Sequence, residues 1–92
     1  MGYEDLPGGD LVEKGLSDLA KKRETQEALL ISIGAPRLKA AGLPVPEETF
    51  RDAERRLYDM LASEDEDSAH SRYNALVRRL VSFEDALECV GL

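Results

Sequence analysis

Apolar residues recur at Ala69, Tyr73, Leu76, Leu80, Phe83, Leu87 and Val90, spaced 4-3-4-3-4-3. That spacing draws one apolar seam along a helix expected from about Ser68 to Val90, roughly 33 Å long at about 1.5 Å per residue. Such a seam has to be covered by another helix. In heptad letters Tyr73, Leu80 and Leu87 are a, and Ala69, Leu76, Phe83 and Val90 are d. Val77 at e widens the stripe, and Val81 at b is expected to extend it on the other flank. A stripe this wide takes more than one neighbour, which favours a bundle over an isolated coiled coil.

The same periodicity marks out the rest of the chain. Residues 1–9, with Pro7, Gly8 and Gly9, read as a flexible N-terminal arm, and residues 10–92 as a single helical domain. Asp10 caps a first helix over about 10–22, carrying Leu11, Val12, Leu16, Leu19 and Ala20. Gly15 within it marks either a close helix crossing or a tolerated surface position. Thr25 caps a second helix that ends at Gly34. Ala28, Leu29, Leu30, Ile31 and Ile33 are apolar on nearly all its sides, so it should be the most buried. A strand over 29–33 is the rival assignment, but it has no sheet to join. Pro36 opens a short third helix that ends at Gly42. Leu43-Pro44-Val45-Pro46 follows as a stiff extended connector.

Glu47 and Glu48 then suit the first turn of a fourth helix, whose seam is Phe50, Ala53, Leu57, Met60 and Leu61. Its charges pair at helical spacing: Glu47 with Arg51, Asp52 with Arg56, Arg55 with Asp59. The acidic link Ser63–Ser68 leads into the last helix, expected to run antiparallel to the fourth. The fold class is therefore all-α, a small bundle of four to five helices with a long C-terminal helix.

Charge narrows the function. Nineteen acidic against 12 basic residues leave the 92-residue chain at −7, which repels nucleic acid and anionic membranes unless its bases cluster. The one run, Lys21-Lys22-Arg23, complements the C-terminal end of the first helix dipole. The longest apolar run is far short of a membrane span. The single cysteine, Cys89, excludes an intrachain disulfide and fits a reducing cytoplasm.

No constellation carries catalysis. The acidic link lacks the alternate spacing, the glycine turn and the distal Glu of a calcium loop, and it serves instead to start the last helix. Its Ser63 and Ser68 stand beside acids, as an acid-directed kinase prefers. His70 has no nucleophile, orienting carboxylate or metal partner, and one His with one Cys makes no zinc site. No glycine-rich phosphate loop follows a strand. No catalytic residue, metal or cofactor is expected.

The expected function is thus a non-enzymatic protein–protein interaction or regulatory module: an adaptor, an assembly subunit or the acidic member of a protein pair. Its partner-binding residues are expected on the last helix: Arg72, Tyr73, Leu76, Val77, Arg79, Leu80, Phe83, Glu84 and Leu87. Arg79 at g and Glu84 at e fit the pairing of a parallel homodimer. Arg72 and Arg79, without obvious partners in their own helix, alternatively suit an acidic partner. The alternative function is a helix-turn-helix DNA-binding regulator built on residues 25–42, with Arg37, Lys39 and Lys21–Arg23 as its contacts.

Overall fold

The computed structural model describes residues 5–89, and every regular element in that span is helical. Four helices follow in order: α1, Gly9–Ala20; α2, Gln26–Ala40; α3, Ala53–Glu64; and α4, Ala69–Cys89. Residues 1–4 of the expected arm, and Val90 of the expected seam, lie outside the described residues. Leu6 packs against the core, and its carbonyl accepts from the Gly9 amide at 2.9 Å, just ahead of α1.

The turn between α1 and α2 is held by side chains that a short helical hairpin needs. Thr25 Oγ1 accepts from the Ala28 amide at 3.1 Å, the N-cap bond expected of a threonine there. The same hydroxyl donates to Asp18 Oδ2 at 2.9 Å, and Lys14 Nζ donates to that oxygen at 2.6 Å. Asp18 is buried, and these two donors hold its carboxyl below its ordinary pKa, Lys14 contributing most.

Gly15 marks a close crossing. A Cβ on it would stand 2.4 Å from Ile31 Cγ1 and 2.6 Å from the Glu27 carbonyl oxygen, so α1 and α2 approach as only glycine permits. Leu11, Val12, Leu16 and Leu19 bury the other side of this contact.

The sequence reading breaks α2 at Gly34 and starts another helix at Pro36. The structure corrects this: one helix runs through both residues. Gly34 and Pro36 together cost about 4 kcal/mol of helix propensity. Continuation buries Ala35 and Leu38 and carries Arg37 to α4, and full burial of a leucine alone contributes roughly 1.5–3 kcal/mol. Pro36 itself is exposed on the helix surface. The segment Leu29–Ile31 is helical and fully buried, and α2 packs on all three other helices.

A second correction concerns α3. It begins at Ala53, six residues beyond Glu47. Residues 43–50 instead cross the bundle, with Leu43 buried and Val45 and Phe50 against the core. The Phe50 amide donates to Ser32 Oγ at 3.1 Å, which anchors this connector to α2 rather than to a helical turn of its own. Asp52, at φ 52°, turns the chain into α3. Of the three ion pairs expected on this helix, Arg55–Asp59 forms at 3.9 Å, whereas Arg56 turns to Glu24 on the α1–α2 connection at 3.4 Å.

Ala53, Leu57 and Leu61 bury one face of α3 against α2 and α4, and α4 returns after a tight turn in which the Asp67 amide donates to Asp65 Oδ1. The core closes over Val12, Leu29, Leu30, Ile31, Leu38, Leu57, Leu61, Phe83 and Leu87, all fully buried.

Candidate functional site

The expected partner-binding residues divide into three groups. Leu80, Phe83 and Leu87 lie inside this chain's own core, so they are not an open face. Tyr73, Leu76 and Val77 are half-buried at its margin. Tyr73 meets Tyr58 of α3 with ring centroids 5.9 Å apart, and burial raises its phenol pKa. The charged members form the third group, and each is bonded within the chain.

Arg72 pairs with Glu64 at 3.0 Å, across the α3–α4 turn. Arg79 pairs with Asp10 at the start of α1, at 3.1 Å. Glu84 is buried and accepts from Arg37 at 3.1 Å. The Arg79–Glu84 pairing expected between parallel chains therefore has both members engaged elsewhere. Their partners sit on other helices, which spacing along α4 alone could not show.

Arg37 is the centre of the densest charge cluster. Its guanidinium reaches Glu84, Asp85 at 2.7 Å and Glu88 at 2.8 Å, all on α4. Three carboxylates surround one cation, so the cluster keeps a net negative charge. The carboxylates differ in how firmly they hold it. Bonding to Arg37 lowers the pKa of exposed Glu88, whereas burial raises that of Glu84 despite the nearby guanidinium. Only the alternative, helix-turn-helix reading gave Arg37 a role, as a DNA contact. The available clue was Glu84, Asp85 and Glu88 together, with no base three or four residues away to neutralise them. With residues 26–40 in one helix and Arg37 held by carboxylates, the two-helix arrangement expected for residues 25–42 is absent.

Beside this cluster lies an open groove of about 280 Å³ between α2 and α4. Ile33, Pro36, Val77 and Val81 form its apolar walls, Gly34 and Leu80 its floor, and Arg37 with Glu84 its end. Gly34 shapes it, because a Cβ there would stand 3.0 Å from both Leu80 Cδ2 and Glu84 Oε2. Val81 is 40% exposed, an open aliphatic side chain amid polar neighbours. Val77 and Val81, read from the heptad as opposite flanks of the seam, share one flank. At about 100° per residue, positions four apart are neighbours on a helix.

The opposite flank is closed differently. The Arg72 and Arg79 ion pairs lie along it, and Gly8 brings its backbone close to the Arg79 carbonyl and Phe83 Cβ. A further surface hollow, about 530 Å³ along Asp10, Glu13, Lys14, Ser17 and Asp18, is lined by α1 alone.

Among the described residues no group of three or more His, Cys, Asp or Glu side chains is placed to hold a metal, and no helix is long and apolar enough to cross a membrane. His70 is exposed and bonded to Asn74 at 3.2 Å, and Cys89 is an exposed free thiol. No protein-family description, curated protein or solved structure matches the chain.

Proposed function

We propose that this protein is a non-enzymatic interaction module whose docking surface is the α2–α4 groove. The observation that carries the reading is Val81, exposed in the middle of α4 and continuous with Ile33, Pro36 and Val77. Buried side-chain polar atoms all have partners among the described residues, and the fully buried seam residues face their own bundle. Among the described residues two large hydrophobics are exposed, Tyr58 on α3 and Val81, and Val81 is the one that joins an apolar groove beside a net acidic cluster. A partner that covers it removes Val81 and the half-buried wall from water, at roughly 25 cal/mol per Å² of apolar area. The lone cysteine suits action in a reducing cytoplasm.

A photo-crosslinking amino acid placed at Val81, in the native cell, tests this. The expected result is covalent adducts with protein at Val81 and few at exposed Ser82 on the neighbouring face. Val81→Asp should abolish association and leave the helical signal unchanged, since exposed positions tolerate substitution to within about 0.5 kcal/mol. Equal, weak adduct formation at Val81 and Ser82 would refute the reading.

A further inference from the structure

Resting on that docking surface, we infer that its occupant is a second copy of this chain, with the two α4 helices antiparallel about a two-fold axis at Val81. Charge complementarity carries this. Arg78 is exposed and makes no ion pair or side-chain hydrogen bond among the described residues. It stands three residues before Val81, and Asp85 stands four after, on the same side of α4. At about 1.5 Å per residue they lie roughly 4.5 Å and 6 Å from the Val81 level, in opposite directions.

A two-fold axis perpendicular to α4 reverses the helix direction and keeps its sides. It therefore sets Arg78 of one copy beside Asp85 of the second, offset by about 1.5 Å along the helix, and symmetry makes the same contact twice. Asp85 already serves Arg37, but it is 64% exposed at the side chain and belongs to a cluster of three carboxylates around one guanidinium. A second cation there offsets part of the surplus charge. Val81 meets its own symmetry mate at the axis, flanked by Ile33, Pro36 and Val77 of both copies.

A parallel arrangement lacks this match. It would juxtapose Arg79 with Glu84, which are held by Asp10 and Arg37, and would rely on Leu80, Phe83 and Leu87, which are buried in each copy. The isologous antiparallel pair rests on exposed Arg78, Val81 and Asp85, and Asp85 keeps Arg37 as well.

The experiment is solution mass by light scattering and sedimentation, from micromolar to millimolar chain. The wild type should pass from monomer to dimer. Arg78→Asp alone and Asp85→Arg alone each place like charges at both symmetric contacts, and each should weaken dimerisation about tenfold or more. Mixed in equal amounts they should recover wild-type association as mixed dimers, because acid then faces base at both contacts. Asp85→Arg also disturbs the Arg37 cluster, so a second variant guards the test. Val81→Cys with Cys89→Ser should oxidise to a disulfide-linked dimer, since the axis brings the two Cβ atoms to bonding range. A wild type that stays monomeric at millimolar concentration, or a dimer indifferent to both charge reversals and to their mixture, overturns the inference. If monomeric wild type still gives Val81 adducts with a different protein, the groove remains a docking surface and only the second copy is refuted.

Discussion

Gly15→Ala sets two effects of opposite sign against each other. Alanine in a helix interior is favoured over glycine by about 1 kcal/mol, so on propensity alone the change stabilises. The added Cβ, however, would stand 2.6 Å from the Glu27 carbonyl oxygen and 2.4 Å from Ile31 Cγ1. The carbonyl is backbone and cannot rotate away, so α1 and α2 must separate along the contact that buries Leu11, Val12, Leu16 and Leu29. Overpacking of a tight core costs typically 1–3 kcal/mol, and a backbone clash belongs at the upper end. The net expectation is a loss of about 1–2 kcal/mol, which for a chain this size lowers Tm by roughly 5–15 °C. Gly34→Ala is the internal control. Its Cβ would meet the ends of two side chains, Leu80 and Glu84, at 3.0 Å, and these yield by small rotations. The propensity term then nearly balances the strain, and the net change stays within about 1 kcal/mol of zero. Urea unfolding monitored by helical circular dichroism measures both. If Gly15→Ala unfolds at higher urea than the wild type, the crossing is not closed by glycine and the reasoning fails.

Thr25→Ala removes the α2 cap and one of the two donors on Asp18, and should cost about 1–2 kcal/mol of unfolding free energy in urea titration. An indistinguishable midpoint would remove the cap from the account of the hairpin. The two buried carboxylates should give opposite pH signatures. The pKa of Asp18 is lowered in the fold, so its stabilisation is present above the ordinary value of 3.8 and is lost as pH falls through the lower folded value. Asp18→Asn should flatten that acid limb of the stability curve. The pKa of Glu84 is raised, so its contribution is fully present below 4.5 and is lost as pH rises through the folded value. Glu84→Gln should match the wild type below that window and gain on it above, and an advantage that instead shrinks with rising pH would contradict the direction.

Much of the fold is written locally. The 4-3 seam and the spacing in α1 follow from which residues are apolar, and Thr25 announces its cap. The continuity of α2 is not local. Gly34 and Pro36 carry the signals that end helices, and they are overruled by burial of Leu38 and by Arg37 reaching α4 residues 47 to 51 positions away. The late start of α3 is hidden for a similar reason: Glu47 and Glu48 resemble a first turn, but the Phe50 amide is claimed by Ser32. The groove was half legible. Val77 and Val81 already stood out as departures from a strict heptad, whereas their partners Ile33 and Pro36 could be placed beside them only once residues 26–40 formed one helix.

The asymmetry of α4 follows from how its charges are distributed. On one flank Arg72 and Arg79 meet acids from α3 and α1, and the backbone at Gly8 packs beside them, so that flank closes with polar bonds. On the other, α2 contributes a single cation, Arg37, which is consumed at the C-terminal end of the crossing by three carboxylates. Above that cluster α2 presents Ile33 and Pro36, which have no side-chain hydrogen bond to offer, and α4 presents Val77 and Val81. Among the described residues, Arg37 and Glu84 are the polar side chains lining the groove and they meet at its end, so the rest stays open. Closing it with additional apolar residues from the same chain would require a fifth element, which the described residues do not supply. A second surface supplies the same cover from outside. The acids that exceed the single Arg37 set the sign of the charge that surface should carry, and Arg78 carries that sign on this chain's own α4.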